Sequence, residues 1–413
     1  MGRLSHLELI SLTLSLGLLL AAARLLGELA RRLKQPAILG EVLAGVLLGP
    51  TVLAHLAPDF HTFLFPSTGP LATCINAIAT VSVLFFLLAA GLEIDLSRIS
   101  GNGKSVLRIA VSGFFIPLCA GTLLAVRFPA LFGFQEHPAP WISAMFFGLC
   151  LSISALPVIA KTLLDLGLYR STTGTLMMAA ATVTDIMCWL FVAVIFDSLG
   201  QDDALPFPMP VWIAAIMGIV LTAVALGRVV CDSLLSWASR NVSSRSVVLT
   251  LMLALTLIVA SFSEWIGLHG VLGAFLLGVA LGDSDHLDEA SRKTLTQQVN
   301  AFFAPIFFAS IGLRVDAFSH FDLYLAIIVF ISASLAKVLS VALGARWSKL
   351  PSKQMWALAF GMNARGAMEI VLAVIALEAG IIAKPLFVAL VVMALLTTMA
   401  SGPLIQHFLR DTE

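Results

Sequence analysis

The 413-residue chain is 59% apolar and only 12% charged, with a mean hydropathy of +1.01, whereas soluble domains carry about 25% charged residues. That is too little charge to cover a water-facing surface, so the composition excludes a soluble globular domain and predicts an all-α polytopic membrane protein. The 24 basic and 24 acidic residues balance to a formal charge of zero, which argues against a nucleic-acid partner.

Thirteen apolar segments approach the ~20 residues that a bilayer core demands. They lie at about 7–28, 36–54, 72–92, 106–126, 141–163, 172–197, 210–229, 246–264, 267–282, 299–313, 321–345, 354–378 and 384–408. The runs are too long and too evenly apolar for the alternation of a membrane β-barrel. The first is not a cleavable signal, because it lacks a small-residue cleavage site and runs straight into GELARRLKQP. The five cysteines (Cys74, Cys119, Cys150, Cys188 and Cys231) are scattered through or beside these segments without a CxxC pair, which makes them small packing residues.

The connections sort by charge. The odd-numbered ones hold Arg31, Arg32, Lys34, Arg98, Lys104, Arg108, Lys161, Arg170, Arg228, Arg240, Arg245, Arg292, Lys293, Arg346, Lys349 and Lys353; the even-numbered ones hold only Arg127, Arg314 and Lys384. By the positive-inside rule the N-terminus is expected outside and the C-terminus in the cytoplasm of a cell membrane.

An internal repeat runs through the chain. VLAGVLLG (Val42 to Gly49) in the second segment matches VLGAFLLG (Val271 to Gly278) in the ninth. FLLAAGLEID (Phe86 to Asp95) at the end of the third matches FFASIGLRVD (Phe307 to Asp316) at the end of the tenth. Both pairs are seven segments apart. Seven is odd, so matching segments point in opposite directions, as in inverted-topology transporters whose site lies near the midplane. On this scheme the seventh segment is a linker.

The same offset pairs the fifth segment with the twelfth, and both are interrupted. The fifth reads LCLSISALPVIAKTLL, with Ser152 and Ser154 before Pro157; the twelfth reads ALAFGMNARGAMEIVLAVIAL, with Gly361, Asn363, Arg365 and Gly366 in its first half. Proline removes a helix hydrogen bond and clashes with the preceding turn. Matched interruptions in the two halves point to a binding site, although packing kinks are the plainer reading.

Three charges fall inside apolar runs: Asp185 beside Thr184 in the sixth segment, Lys337 in the eleventh and Arg365 at the break of the twelfth. An Asp at a membrane-helix centre costs about 3 kcal/mol, so such charges must pair or line a wet cavity. Lys337 and Arg365 can offset carbonyl ends left bare at helix breaks. Glu369 follows Arg365 by one helical turn, so the two are expected to pair structurally. Glu41, Glu93, Asp95, Asp316 and Glu378 sit near segment ends, where snorkelling or capping is the default. Gly45-x3-Gly49 reads as close helix packing, and His269 as a packing residue with pH-sensitive chemistry as the sharper alternative. A lone membrane carboxylate with nearby hydroxyls suits a small monovalent cation. The acid binds either a proton or the cation, because both neutralise the same charge, and that competition at one site yields exchange.

RLLGELARRLKQPAILGEVLAGVLLGPTVL (Arg24 to Leu53), LFFLLAAGLEIDLS (Leu84 to Ser97), FFAPIFFASIGLRVD (Phe302 to Asp316) and GMNARGAMEIVLA (Gly361 to Ala373) occur in this order. Together they resemble the monovalent cation:proton antiporters, in the branch of the Kef-type and plant cation/proton exchangers. The resemblance implies a sodium/proton antiporter-like fold of thirteen helices with two crossing broken helices. Ion-carrying core helices are expected at about 106–197 and 321–408, panel helices at about 1–105 and 246–313, and a linker helix at about 210–229. It maps the essential acid, and with it the monovalent metal ion, onto Asp185. Hydroxyl ligands map onto Ser154 and Ser152, with Thr184 adjacent, and a core lysine onto Lys337. Arg365 and Glu369 fall in as charge support, with Pro157, Gly361, Asn363 and Gly366 marking the helix breaks. It implies an elevator movement, usually in a homodimer.

Two departures stand out. Many members place Asp or Asn immediately before the essential acid, where this chain has Thr184, so one proton is expected per cation, and Lys337 lacks the acidic partner of two-acid members. The chain also ends at HFLRDTE, soon after the thirteenth segment, without the nucleotide-binding domain of Kef-type proteins. The expectation is therefore electroneutral exchange of Na+ or K+ for H+, without an organic cofactor. A proton-coupled exporter of a small organic solute, or a non-transporting sensor or channel, are the rivals. Enzymatic chemistry has little support, since no nucleophile–base or metal-ligand constellation stands out.

Overall fold

In a computed structural model, residues 4–33, 35–93, 103–134, 140–166, 168–169, 171–199, 233, 236, 245–265, 270–282, 284, 287–316 and 319–409 are described. Helices and their connecting turns account for all of them, with no strand among the described residues. The helices are α1 (His6–Arg32), α2 (Ala37–Leu48), α3 (Leu53–Leu56), α4 (Pro58–Leu64), α5 (Pro70–Leu92), α6 (Gly103–Arg127), α7 (Pro129–Phe132), α8 (Pro140–Ser152) and α9 (Leu156–Asp165). They continue with α10 (Thr172–Leu199), α11 (Arg245–Trp265), α12 (Gly270–Gly282), α13 (Glu289–Gln298), α14 (Ala304–Gly312), α15 (Leu323–Trp347), α16 (Ser352–Gly361), α17 (Ala367–Glu378) and α18 (Lys384–Leu409). Twelve of the thirteen apolar segments coincide with these helices. The seventh, at 210–229, lies outside the described residues, as do Lys34, Asp95, Arg98, Arg170, Arg228, Cys231, Arg240 and His269.

The tenth segment differs from its expected bounds. Its helix begins at Glu289 rather than near residue 299, capped by Asp288, whose carboxylate accepts from the Ser291 amide at 3.2 Å. The first ten residues, EASRKTLTQQ, are polar, so a reading based on apolar length misses them. A π-helical turn at Val299–Phe303 joins α13 to α14.

By their contacts the helices fall into two compact units. The described residues of Met1–Leu92, Leu226–Ile266 and Gly270–Phe321 make the first; those of Glu93–Ala225 and Asp322–Glu413 make the second. In the first unit, α2 packs on α14 and α5 packs on α12. A Cβ added at Gly45 would meet the backbone of Ala309 and Gly312, and one at Gly91 would meet the backbone of Phe275 and Gly278. Only a glycine permits such backbone approach. The repeat accounts for the pairing: the second segment matches the ninth and the third matches the tenth. The contact of the second with the tenth is thus the internal counterpart of that between the ninth and the third. Phe85 and Phe86 extend the packing onto Phe303 and Phe308, with ring centroids 4.8 and 5.2 Å apart.

In the second unit, α6 crosses α8 and α15, and α15 also packs on α16 and α18. Gly121 and Gly148 let α6 and α8 approach closely, an added Cβ at Gly121 lying 2.7 Å from the Gly148 Cα. Asp322 starts α15 by accepting from the amides of Tyr324 and Leu325 at 2.9 and 3.0 Å, satisfying donors that a helix start leaves free. This fixes the start of the helix that carries Lys337.

Candidate ion site at two crossing helix breaks

The fifth segment stops as a helix at Ser152 and resumes at Leu156; the twelfth stops at Gly361 and resumes at Ala367. The two breaks bond directly to each other. The Ala155 amide donates to the Ala364 carbonyl at 2.9 Å, and the Ser154 hydroxyl donates to the Met362 carbonyl at 2.7 Å. Pro157 is the second residue of α9, where its missing N–H leaves no helix bond unmade. Gly361 faces the Met177 side chain, and an added Cβ at Gly366 would lie 2.9 Å from Val158 Cγ2, so both glycines make room for the crossing.

A helix end leaves its last carbonyls without intrahelical partners and concentrates partial negative charge there. At α8 two cations take up that role. Arg365 donates through Nη2 to the Leu151 carbonyl at 2.8 Å, and through Nη1 to the Cys150 carbonyl. Lys337 Nζ donates to the Ser152 carbonyl and, at 2.9 Å, to the Gly113 carbonyl of α6. Arg365 also pairs with Glu369 at 3.3 Å, both side chains being fully buried. The hydroxyl of Thr398 on α18 donates to the Arg365 carbonyl. Both cations are thus anchored to the backbone of the break.

Asp185 on α10 is 3% exposed, and its Oδ1 has no hydrogen-bond partner among the described residues. Lys337 is the charged group that acts on it electrostatically, but no direct ion pair joins the two. Arg365 and Glu369 also act on Lys337, so the four charges form one cluster. The three hydroxyls that the sequence singles out are turned to carbonyls: Thr184 to Ala181 at 2.8 Å, Ser152 to Gly148 at 2.9 Å and Ser154 to Met362. Each donates its proton there, which leaves its oxygen lone pairs free to accept. Asn363 is 7% exposed; its amide nitrogen lies 3.5 Å from Ser334 Oγ, and its Oδ1 is without a partner among the described residues.

The crossing thus gathers Ser152, Ser154, Asn363, Arg365 and Lys337, and Asp185 is linked to it through the field of Lys337. The sequence pointed to bare carbonyl ends as partners for Lys337 and Arg365, but not to particular ones. The carbonyls of Gly113, Cys150, Leu151 and Ser152 carry no side-chain signal. Thr398 had one, a Thr-Thr pair in the middle of the last apolar segment, and so did Ser334, one turn before Lys337.

These features describe a multi-pass membrane protein: among the described residues, eight helical stretches, one of them α2 and α3 together (Ala37–Leu56), are long and apolar enough to cross a bilayer, each with few charges. The chain belongs to the sodium/hydrogen exchanger family, whose transmembrane-domain model matches residues 17–411. It is 29% identical over 397 residues to the Na(+)/H(+) antiporter NhaS4 of Synechocystis, covering 94% of both chains. It is 27% identical to the Na(+)/H(+)-K(+) antiporter GerN of Bacillus cereus, covering 95% of both. With the Cation/H(+) antiporter 17 of Arabidopsis thaliana it shares 28% identity, spanning 95% of this chain but 48% of the plant protein. The fold is similar to that of the sodium proton antiporter MjNhaP1 of Methanocaldococcus jannaschii, with a TM-score of 0.73 at 17% identity over 98% of this chain and 99% of that one.

Proposed function

We propose that the chain is a secondary transporter that exchanges a monovalent cation, Na+ or K+, for H+. The observation that carries this reading is the buried Asp185 carboxylate, which keeps an unbonded oxygen while the nearby cations are held by carbonyls and Glu369. A free carboxylate in a low-dielectric setting requires a counter-charge or a proton. Asp185 as the acid RCOOH releases H+ to one side and takes M+ as RCOO−M+; the reverse step on the other side completes one exchange. The hydroxyls of Ser154, Ser152 and Thr184 supply neutral oxygens of the kind hard cations accept.

With Thr184 in front of Asp185, one carboxylate serves one proton and one cation, so the exchange is electroneutral. In this reading the helices around the breaks are the moving core, in an elevator motion against a panel formed by the others in a homodimer. The protein sits in the cell membrane with its N-terminus outside and its C-terminus in the cytoplasm, as the distribution of basic residues implies. The names of the relatives NhaS4 and GerN support cation/proton exchange, and GerN's supports both Na+ and K+ as substrates. The test is pH-dependent cation exchange in proteoliposomes. Asp185→Asn abolishes it while leaving a folded, monodisperse protein; full activity in that variant overturns the assignment of Asp185, and no cation-dependent exchange in the wild type overturns the reading.

A further inference from the structure

The two breaks are unlike in how their helix ends are satisfied. Lys337 and Arg365 both bond the carbonyl end of α8. Neither bonds the corresponding end of α16. There, among the described residues, the carbonyls of Leu358, Phe360 and Gly361 accept only backbone amides, from Met362, Asn363 and Ala364, and the Met362 carbonyl accepts the Ser154 hydroxyl. Among the described residues, the negative end of one half-helix is held by fixed cations and that of the other is not. Asn363 stands at this second end. It follows Met362 as Ser154 follows Ile153, and the residues after both, Ala155 and Ala364, are the pair that bond across the crossing. Asn363 is therefore the counterpart of Ser154 in the other half of the repeat. Its amide nitrogen is turned towards the half-buried Ser334, and Oδ1 is left buried and unbonded among the described residues.

A buried amide oxygen has two lone pairs and normally finds a donor. This one lies at a helix end that attracts positive charge, in the break whose Met362 carbonyl accepts the Ser154 hydroxyl. We propose that the Asn363 carboxamide oxygen is a ligand of the transported cation and sets the preference among cations. Asp185 supplies the charge that a proton can equally satisfy; Asn363 supplies a neutral oxygen that a proton does not need. Its loss therefore acts on the cation half of the exchange. Its rigid place in the break, next to the Ala155–Ala364 bond, fixes the distance at which it meets the ion, which is how a neutral ligand discriminates by ionic size.

The inference rests on the cation-exchange reading, and the experiment separates the two. Full-length protein in proteoliposomes is assayed with Li+, Na+, K+ and Rb+ at several pH values, as wild type, Asn363→Leu, Asn363→Asp and Asp185→Asn. Asn363→Leu keeps the shape but removes the oxygen. It is expected to raise the apparent KM for the best cation about tenfold, which corresponds to a modest loss of binding energy, and to change the order of preference while Vmax is largely kept. Asn363→Asp restores an oxygen with added charge. It is expected to bring the KM below the wild-type value, to change the order of preference and to make exchange sensitive to membrane voltage. A purely structural role for Asn363 lowers melting temperature and Vmax and leaves KM and cation order alone, and that result overturns the proposal. If Asn363→Leu does not fold, unchanged KM and order in Asn363→Asp overturn it equally. Absence of exchange in the wild type sinks the cation-exchange reading itself, exchange that survives in Asp185→Asn sinks the assignment of Asp185, and its loss there beside unchanged Asn363 variants sinks only the role of Asn363.

Discussion

Lys337, midway along α15, donates to the carbonyl of Ser152, the last residue of α8. An ammonium buried at 0% exposure thereby bonds the end of a half-helix from the opposite repeat. With its second bond to Gly113, it ties α15 to both α8 and α6. Lys337→Met fills the space and leaves these carbonyls without a donor. Hydrogen bonds to charged groups are worth about 1.5–3 kcal/mol each, so a fall in melting temperature in detergent is expected. Lys337→Arg does not restore it, because the longer planar guanidinium does not fit the site of a point charge. A stable Lys337→Met variant with wild-type melting would show that the ammonium is not needed to hold the break.

The Arg365–Glu369 pair yields a prediction of non-additive effects for single and double changes. Arg365 holds the Cys150 and Leu151 carbonyls as well as the carboxylate. Removing one partner of a buried ion pair costs about 3–5 kcal/mol, because the other charge is left alone, while replacing both with apolar groups costs far less. Glu369→Leu is expected to destabilise less than Arg365→Leu, since Arg365 retains its carbonyl acceptors. The double variant is expected to be more stable than Arg365→Leu alone. A double-mutant cycle on thermal stability measures the coupling, and additive effects would mean that the pair contributes nothing.

Gly91 and Gly45 occupy equivalent crossings in the first unit, where an added Cβ meets the backbone of Phe275 and of Ala309 respectively. Backbone cannot swing aside as a side chain does. Overpacking typically costs about 1–3 kcal/mol, so Gly91→Ala and Gly45→Ala are both expected to lower the melting temperature. Gly17→Ala, in the interior of α1 with open space around its Cβ, serves as the control and does not lower it, since Ala favours the helix over Gly. Equal melting for all three variants would contradict the packing account.

Much of this was legible in the sequence because the bilayer simplifies the code. Apolar length marks helices, and Pro157, Gly361 and Gly366 mark where two of them stop. Asp185, Lys337 and Arg365 are conspicuous because each is costly in an apolar run. The partners were less legible. Lys337 and Arg365 bond carbonyls, and every residue has one, so no residue type announced Gly113 or Ser152. The polar start of α13 was missed because a helix that leaves the apolar core no longer obeys the rule of apolar length. Asn363 was visible as a break residue, but only the geometry shows its nitrogen turned to Ser334 and its oxygen without a partner among the described residues.

If a proton and a cation compete for Asp185, acid acts on cation affinity rather than on the number of working carriers. Only the ionised carboxylate binds M+, so the apparent dissociation constant is the intrinsic one divided by the ionised fraction. The sign follows directly. Lowering pH shrinks that fraction, and the apparent KM for cation rises, approaching about tenfold per pH unit once the acid is mostly protonated. Raising pH brings KM to a floor, after which the rate falls because the proton half of the cycle is starved. Saturating cation should therefore recover the rate lost at low pH but not that lost at high pH. Initial exchange rates measured against cation concentration across a pH series, with equal pH on both sides at the start and an imposed cation gradient, test this. A Vmax that falls at low pH and stays low at any cation concentration would mean that acid inactivates the carrier at a group other than Asp185.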